Sequence, residues 1–143
     1  MSSPTHHHLK DAVLDGLYLF SNSEGHRHYT ISEFLSYLVY PVIHQKARFY
    51  YENDKAVGLA TWCFLSDEKS QAFLNDDYVL QEEDYLANEG DQLWCIELIA
   101  PHGHIWQILR DLRAHNKELY GVTRKAHWRR FKNRNSIHKG VFR

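Results

Sequence analysis

The sequence predicts an α/β domain with one central, mixed β-sheet flanked by helices. Three observations predict it. Residues 31–43 carry a single apolar stripe at helical spacing; the β-rich segments ARFYYE and AVGLATWCFL flank a turn; and the β-rich run LWCIELIA precedes a second helical stripe. The chain has 143 residues, the length of one ordinary domain, with no internal repeat or long low-complexity linker. We therefore read residues 1–143 as one domain, with a mobile start at 1–8 and a basic C-terminal segment at 125–143.

The elements follow in order. LKDAVLDGLYLF (Leu9–Phe20) has apolar residues near helical spacing and ends at the polar break SNSEGHRHY. Ile31, Phe34, Leu35, Leu38, Val39, Val42 and Ile43 then fall at i, i+3, i+4, i+7, i+8, i+11 and i+12. Thr30 and Glu33 supply a capping box at the start of that helix, and Pro41 is expected to kink it or end its regular part. Asn53-Asp54-Lys55 suits the turn of a β-hairpin. Ser66 is placed to cap a short helix over Asp67–Leu74, and Asp77–Asn88 reads as helix or loop. LWCIELIA is a strand by its flanks and β content. Ile105, Ile108, Leu109 and Leu112 give a helical stripe, ELYGVT reads as a returning strand, and the remainder reads as a basic tail.

No run approaches the roughly 18 apolar residues of a membrane span. The N-terminus is polar and lacks the apolar stretch of a secretion signal. Cys63 and Cys95 form neither a CxxC pair nor a disulfide framework, so a reducing, cytoplasmic location is expected. Charge is strongly asymmetric. Residues 1–109 hold 6 Lys/Arg against 16 Asp/Glu, and residues 110–143 hold 11 against 2. The basic end either attracts an acidic partner or closes against the protein's own acidic middle.

One residue breaks the pattern of its element. Glu97 stands in the middle of LWCIELIAP, which otherwise reads as a buried strand. Burying an unpaired carboxylate costs several kcal/mol in practice, about the scale of a domain's whole stability. Glu97 therefore has a partner, or this strand has a wet face. Among 11 histidines, His6, His7 and His8 form a terminal run that makes a weak metal site, and no HExxH or CxxC pattern calls for zinc. His102 and His104 flank Gly103 in a turn after the strand. His26 stands apart: it lies in SEGHR, between two helices, three residues after Ser23 and next to Gly25. Loops held between packed elements often carry catalytic groups, and histidine suits proton transfer near neutrality. Both cysteines sit in apolar strand contexts, where a free thiol is usually inert packing. Cys95 shares a strand face with Glu97 if the period of two holds.

The segments SEGHRHYTISEFL, PVIHQKARFYY followed by VGLATWCFLS, AFLNDD, and LWCIELIAPHGH occur in that order over about residues 17–113. Together they resemble the RTX toxin-activating lysine acyltransferases, the hemolysin-activator family. The most specific pieces are S-x-x-H-R at Ser23–Arg27 and the strand exit I-[D/E]-x-I-A-P-x-G at Ile96–Gly103. The resemblance implies a fold related to the GNAT N-acyltransferases. It also implies transfer of a fatty acyl group from acyl-acyl carrier protein to the ε-amine of lysines in a protoxin. The family's essential histidine falls on His26 and its essential aspartate on Glu97, where this chain has one more methylene; its serine falls on Ser23.

On that resemblance His26 is the general base and Glu97 supports it. Ser23 binds the donor or the tetrahedral oxyanion, and an acyl-enzyme on His26 or Ser23 stays open as a variant. Arg27, His102 and Gly103 lie in the matched motifs as substrate-binding candidates. No metal or resident cofactor is implied, because the fatty acyl-phosphopantetheine thioester is a co-substrate. The Q/R-x-x-G-x-G/A pyrophosphate loop of acetyl-CoA-dependent GNAT enzymes has no counterpart here. An acidic carrier needs basic docking residues instead, and Arg110, Arg113, Lys117, Arg124 and Lys125 are available. The acceptor is a large protoxin or a smaller ribosomal precursor peptide, and the family's pairing implies a homodimer.

Two other readings compete. HWRRFKNRN interleaves Arg129, Arg130, Lys132 and Arg134 with Trp128 and Phe131, a composition suited to single-stranded nucleic acid, against which the acidic remainder argues. The substitution at position 97 also fits a GNAT-like interaction protein without catalysis.

Overall fold

The computed structural model describes residues 1–2, 8–86, 92–121, 126–133 and 136–142. Helix α1 (Leu9–Ser21) leads through a loop into α2 (Ile31–Phe34), a π-helical turn (Leu35–Val39) and α3 (Tyr40–Ile43). Strands β1 (Ala47–Glu52) and β2 (Lys55–Leu65) form a hairpin. Helix α4 (Asp67–Leu74) and a 3-10 turn (Glu82–Tyr85) come before β3 (Gln92–Ile99). Helix α5 (Ile105–Tyr120) and the strands β4 (Ala126–Asn133) and β5 (Ser136–Phe142) complete the chain. The sheet order is β1-β2-β3-β4-β5, antiparallel throughout except for the parallel pair β3–β4. This is the α/β domain with a central mixed sheet that the patterning predicts.

Local chemistry explains most of the boundaries. Thr30 accepts from the Glu33 amide at 3.1 Å while Glu33 accepts from the Thr30 amide at 3.3 Å, closing the capping box. Pro41 has no N–H to bond the carbonyl one turn back, and the expected kink takes the form of the π-helical turn just before it. Asn53 and Asp54 both hold positive φ, 50° and 64°, the geometry of a tight hairpin turn and one these two residues tolerate well. Ser66 caps α4 by accepting from the Lys69 amide at 3.1 Å.

The C-terminal third departs from the sequence reading in two places. Glu118, Leu119 and Tyr120, read as the start of a strand, complete the last turn of α5. Gly121 ends that helix with φ 77°, a left-handed cap that glycine adopts without strain. The segment read as a basic tail is a β-hairpin that extends the sheet.

Helices cover both faces of the sheet. On one face, Leu19 and Phe20 of α1 and Leu38 and Val42 of the kinked helix pack on Phe49, Tyr51, Leu59 and Ile99. Phe73 and Tyr85 extend that layer over Cys63, Leu65 and Trp94. On the other face, Ile108 and Leu112 of α5 lie on Tyr50, Ala60, Trp62, Phe64, Leu93 and Cys95. Burying a side chain such as Ile108 stabilises the fold by about 1.5–3 kcal/mol. Gly58 on β2 permits this approach, since a Cβ there would meet the Ile108 side chain and sit 3.3 Å from the Ile99 carbonyl oxygen.

Candidate active site

The loop between α1 and α2 is a succession of tight turns. The Ser23 amide donates to Phe20 O at 3.2 Å, the His26 amide to Ser23 O at 3.0 Å, and the Tyr29 amide to His26 O at 3.0 Å. Ser23, His26 and Tyr29 thus recur every three residues. Tyr29 immediately precedes the Thr30 cap, and both its ring and that of Phe34 pack edge-on against Phe20, with centroids 5.4 and 5.3 Å apart. An apolar residue before the cap joined to one a turn later fixes the angle at which chain enters helix. The chemistry that starts α2 therefore also sets the loop.

Glu97 reaches the same place by an irregularity of the sheet. Thr61 pairs with Glu97 and Trp62 with Cys95, so Ile96 is an extra residue on β3, a β-bulge. Bulges re-aim side chains and are common beside active sites. Here the bulge breaks the period of two. Cys95 packs under α5 with Leu93 and Leu112, whereas Glu97 points to the opposite face, toward the α1–α2 loop. The expectation that Cys95 and Glu97 share a face does not hold.

Four groups form one hydrogen-bonded chain. His26 Nε2–H donates to Glu97 Oε2, and the Tyr29 hydroxyl donates to Glu97 Oε1 at 2.8 Å. An ionised carboxylate only accepts, so the neutral imidazole carries its proton on Nε2 and presents a lone pair at Nδ1. There the Ser23 hydroxyl donates at 2.6 Å. The Glu97 backbone N–H donates to Thr61 Oγ1 at 3.1 Å, anchoring the carboxylate's own residue to β2. Glu97 is 5% exposed, so the carboxylate in the apolar run has its partners on the loop rather than in water. Burial, and then the Glu97 charge, push the Tyr29 phenol well above its ordinary range, which keeps it a donor. The His26 ring lies 5.2 Å from Phe20 and 5.3 Å from Tyr29, centroid to centroid.

The remaining sequence-predicted residues lie elsewhere. Arg27 is exposed and its Nε–H donates to His28 Nε2 at 3.4 Å. His102 and Gly103 occupy the turn after β3, with Gly103 at φ 93°. None of these three enters the hydrogen-bonded chain. Arg110, Arg113 and Lys117 are exposed on α5, in line with Trp106, which is 73% exposed. In the acidic middle, Lys69 pairs with Glu83 and Asp84, and His44 pairs with Glu82. Arg124, Lys125 and Arg134 lie outside the described residues, as do His6 and His7. Among the described residues no three His, Cys, Asp or Glu side chains gather in a group that could hold a metal. Burial raises the Cys95 thiol to about 12, with Glu97 adding to the effect, and raises Cys63 as well; neither is poised as a thiolate.

Sequence reasoning missed Tyr29 and Thr61. The one signal for Tyr29 was its position, a turn after His26 and directly before a helix cap. For Thr61, one β-branched residue in an apolar strand, there was none.

Two further features frame the site. The parallel ladder of β3 with β4 covers Leu93↔Ala126 to Cys95↔Trp128. Glu97 stands two residues past the last pair of that ladder. In addition, no described helix is long and apolar enough to cross a membrane.

Comparison with known proteins adds to this geometry. The model of the RTX toxin acyltransferase family matches residues 11–139, a span that takes in β4 and reaches into β5. A lysine-acyltransferase of Vibrio cholerae is 28% identical over 104 residues, 71% of this chain and 66% of that protein. An uncharacterised protein of Synechocystis is 28% identical over 99 residues, 68% of this chain and 66% of that one. A protein-lysine myristoyltransferase of Kingella kingae is 26% identical over 96 residues, 67% of this chain and 56% of that one. The matched region thus spans just under two thirds of the first two relatives and less of the third. Among solved structures, the loading GNATL domain of CurA from Lyngbya majuscula superposes with a TM-score of 0.61 at 13% identity. It covers 94% of this chain and 68% of that one, and it establishes the GNAT-like fold.

Proposed function

The chain belongs to the RTX toxin acyltransferase family, and on that premise we propose that it is a lysine N-acyltransferase. It moves a fatty acyl group from an acyl-acyl carrier protein thioester to a lysine ε-amine. The acceptor is a protoxin or a ribosomal precursor peptide. The observation that carries the reading is the His26 ring held between the Ser23 hydroxyl and the Glu97 carboxylate. The Vibrio cholerae lysine-acyltransferase supports a lysine acceptor, and the Kingella kingae myristoyltransferase supports a fatty donor as well.

The roles follow from which ring nitrogen is free. Glu97 occupies Nε2, so the proton from the acceptor amine goes to Nδ1, the side that Ser23 faces. As the neutral amine adds to the thioester carbonyl, the new C–N bond forms and the amine proton passes to His26 by way of the Ser23 hydroxyl. The C–S bond then breaks, and the imidazolium returns that proton to the departing thiolate. Glu97 stabilises the imidazolium in between, as the third member does in a hydrolase triad. The lysine, an ammonium of pKa about 10.4, loses its first proton to solvent before attack; His26 takes the second, and general-base catalysis of that kind typically supplies about 10²–10⁴-fold. On this reading an extended pantetheine arm runs along β3 beside Glu97, beyond the end of the β3–β4 ladder.

The carrier docks on α5. Trp106, Arg110, Arg113 and Lys117 are spaced by four, three and four residues, which places them on one exposed stripe. Trp and Arg are enriched at binding hot spots, and the cations suit an acidic partner. Charge reversal at Arg110 and Arg113 should raise KM for the carrier and leave kcat nearly unchanged.

The deciding experiment reads intact mass. The protein is incubated with a panel of acyl-carrier thioesters and, as acceptors, an RTX protoxin fragment and lysine-bearing ribosomal precursor peptides, beside His26→Ala. An acyl mass on a lysine, lost in the variant, supports the reading. Absence of transfer from every donor with the wild-type protein overturns it.

A further inference from the structure

We propose that Tyr29 is the positioning residue of this site: its hydroxyl holds the Glu97 carboxylate in the one orientation that presents Oε2 to His26. The inference rests on the acyltransfer reading for its kinetics, and on the hydrogen-bonded chain alone for its geometry.

A glutamate has one more rotatable bond than an aspartate, and its carboxylate turns freely unless both oxygens are engaged. In this site both are. Oε2 takes the His26 N–H and Oε1 takes the Tyr29 O–H at 2.8 Å. The two donors come from one turn of one loop, since the Tyr29 amide is bonded to the His26 carbonyl. The carboxylate is thus gripped by two points a fixed distance apart, which sets its plane as well as its position. Tyr29 itself has little freedom. Its ring is wedged against Phe20, His26 and Tyr37, with centroids 5.4, 5.3 and 5.9 Å away, and the helix cap follows directly. The same contact supplies a donor to a carboxylate that is 5% exposed, where a buried acceptor left without one is costly.

The other titratable groups around the pair are Tyr37 and Glu33 from the following helix, Tyr85 from the 3-10 turn and Cys95 on the same strand. His26 and Tyr29 each donate to one oxygen of the Glu97 carboxylate. With His26 on Oε2, Tyr29 is the donor that fixes the other oxygen.

The test uses Tyr29→Phe, which keeps the ring and removes one oxygen. With acyl-carrier donor and protoxin fragment, kcat should fall by about 10- to 100-fold, the worth of a hydrogen bond to a charged group, with KM nearly unchanged. Loss of the donor frees Oε1 and leaves His26 to carry more of the interaction with the carboxylate. The acid limb of the pH profile should then move to higher pH, and so should the His26 ring titration followed by NMR. In a Glu97→Gln background, adding Tyr29→Phe should cost less than about threefold, because Tyr29 acts through the carboxylate. An unchanged His26 titration and unchanged kcat in Tyr29→Phe would overturn the inference, as would full additivity with Glu97→Gln. If the wild type transfers nothing while the His26 titration still shifts in Tyr29→Phe, the acyltransfer reading falls and the positioning role stands.

Discussion

Cys95 and Glu97 stand two residues apart on β3 and face opposite sides of the sheet, because Ile96 is bulged out of register against β2. The thiol lies in the core under α5 and the carboxylate lies in the site. Cys95→Ala is therefore expected to leave the transfer rate within about twofold while lowering stability by about 1 kcal/mol, the ordinary cost of a buried truncation. Rate assays alongside chemical denaturation check both halves; a large rate loss without unfolding would place the thiol in the site after all.

The length of the Glu97 side chain matters as well as its charge. It spans from β3 to two donors on the loop, and a shorter chain cannot keep both. Glu97→Asp should lower kcat by about 10- to 100-fold, as expected when one hydrogen bond to a charge is lost. It should nonetheless exceed Glu97→Gln, which cannot stabilise an imidazolium. Single-turnover rates of the two variants give the comparison.

At Gly58, a methyl group would press on Ile108 and on the Ile99 carbonyl. Gly58→Ala should destabilise by about 1–3 kcal/mol through overpacking, seen as a melting point lower by about 2–4 °C for each kcal/mol. Paired with Ile108→Val, which removes the colliding methyl, part of that loss should return.

His115 supplies a pH dependence on the face away from the site. Burial lowers its pKa, the Arg48 charge lowers it further, and Asp111 and Glu118 oppose them; its ring meets Trp62 edge-on at 5.7 Å. The folded pKa is below the unfolded value of about 6.5, so the unfolded chain binds the extra proton first. Its contribution to stability is complete above about pH 6.5 and is lost as pH falls toward the folded pKa. Melting curves between neutral pH and about pH 5 should show this drop, and His115→Gln should make the curve flatter.

Much of this could be read from residues acting locally. Thr30 with Glu33, Ser66, and Asn53 with Asp54 are short-range chemistry, and each ends or turns the chain where the sequence indicates. Glu97 in an apolar run and His26 in a held loop each drew attention, but it was the resemblance to the toxin-activating acyltransferases that joined them, with Ser23, into one candidate site. The rest depended on distant partners. The bulge at Ile96 is a matter of register between two strands and leaves no mark in LWCIELIA. Glu118, Leu119 and Tyr120 have mixed propensity, and only the left-handed Gly121 shows that they finish a helix. The hairpin of β4 and β5 was hidden because its segment drew attention for charge rather than for alternation. Tyr29 went unnoticed because a tyrosine before a helix cap already has a packing reason to be there.

The contact between His26 and Glu97 joins residues 71 apart in the chain. The sheet's strand order follows the chain order, and β1–β2 closes through a tight two-residue turn. Contacts across long loops must offset the entropy of closing them, so neighbouring strands can zip well before the α1–α2 loop is pinned to β3. The candidate site is thus expected to be a late seam of the folding reaction as well. In refolding experiments, activity should return with the slowest change in tyrosine and tryptophan fluorescence rather than with the first gain of β-structure. Recovery in the early phase would show that the seam closes first.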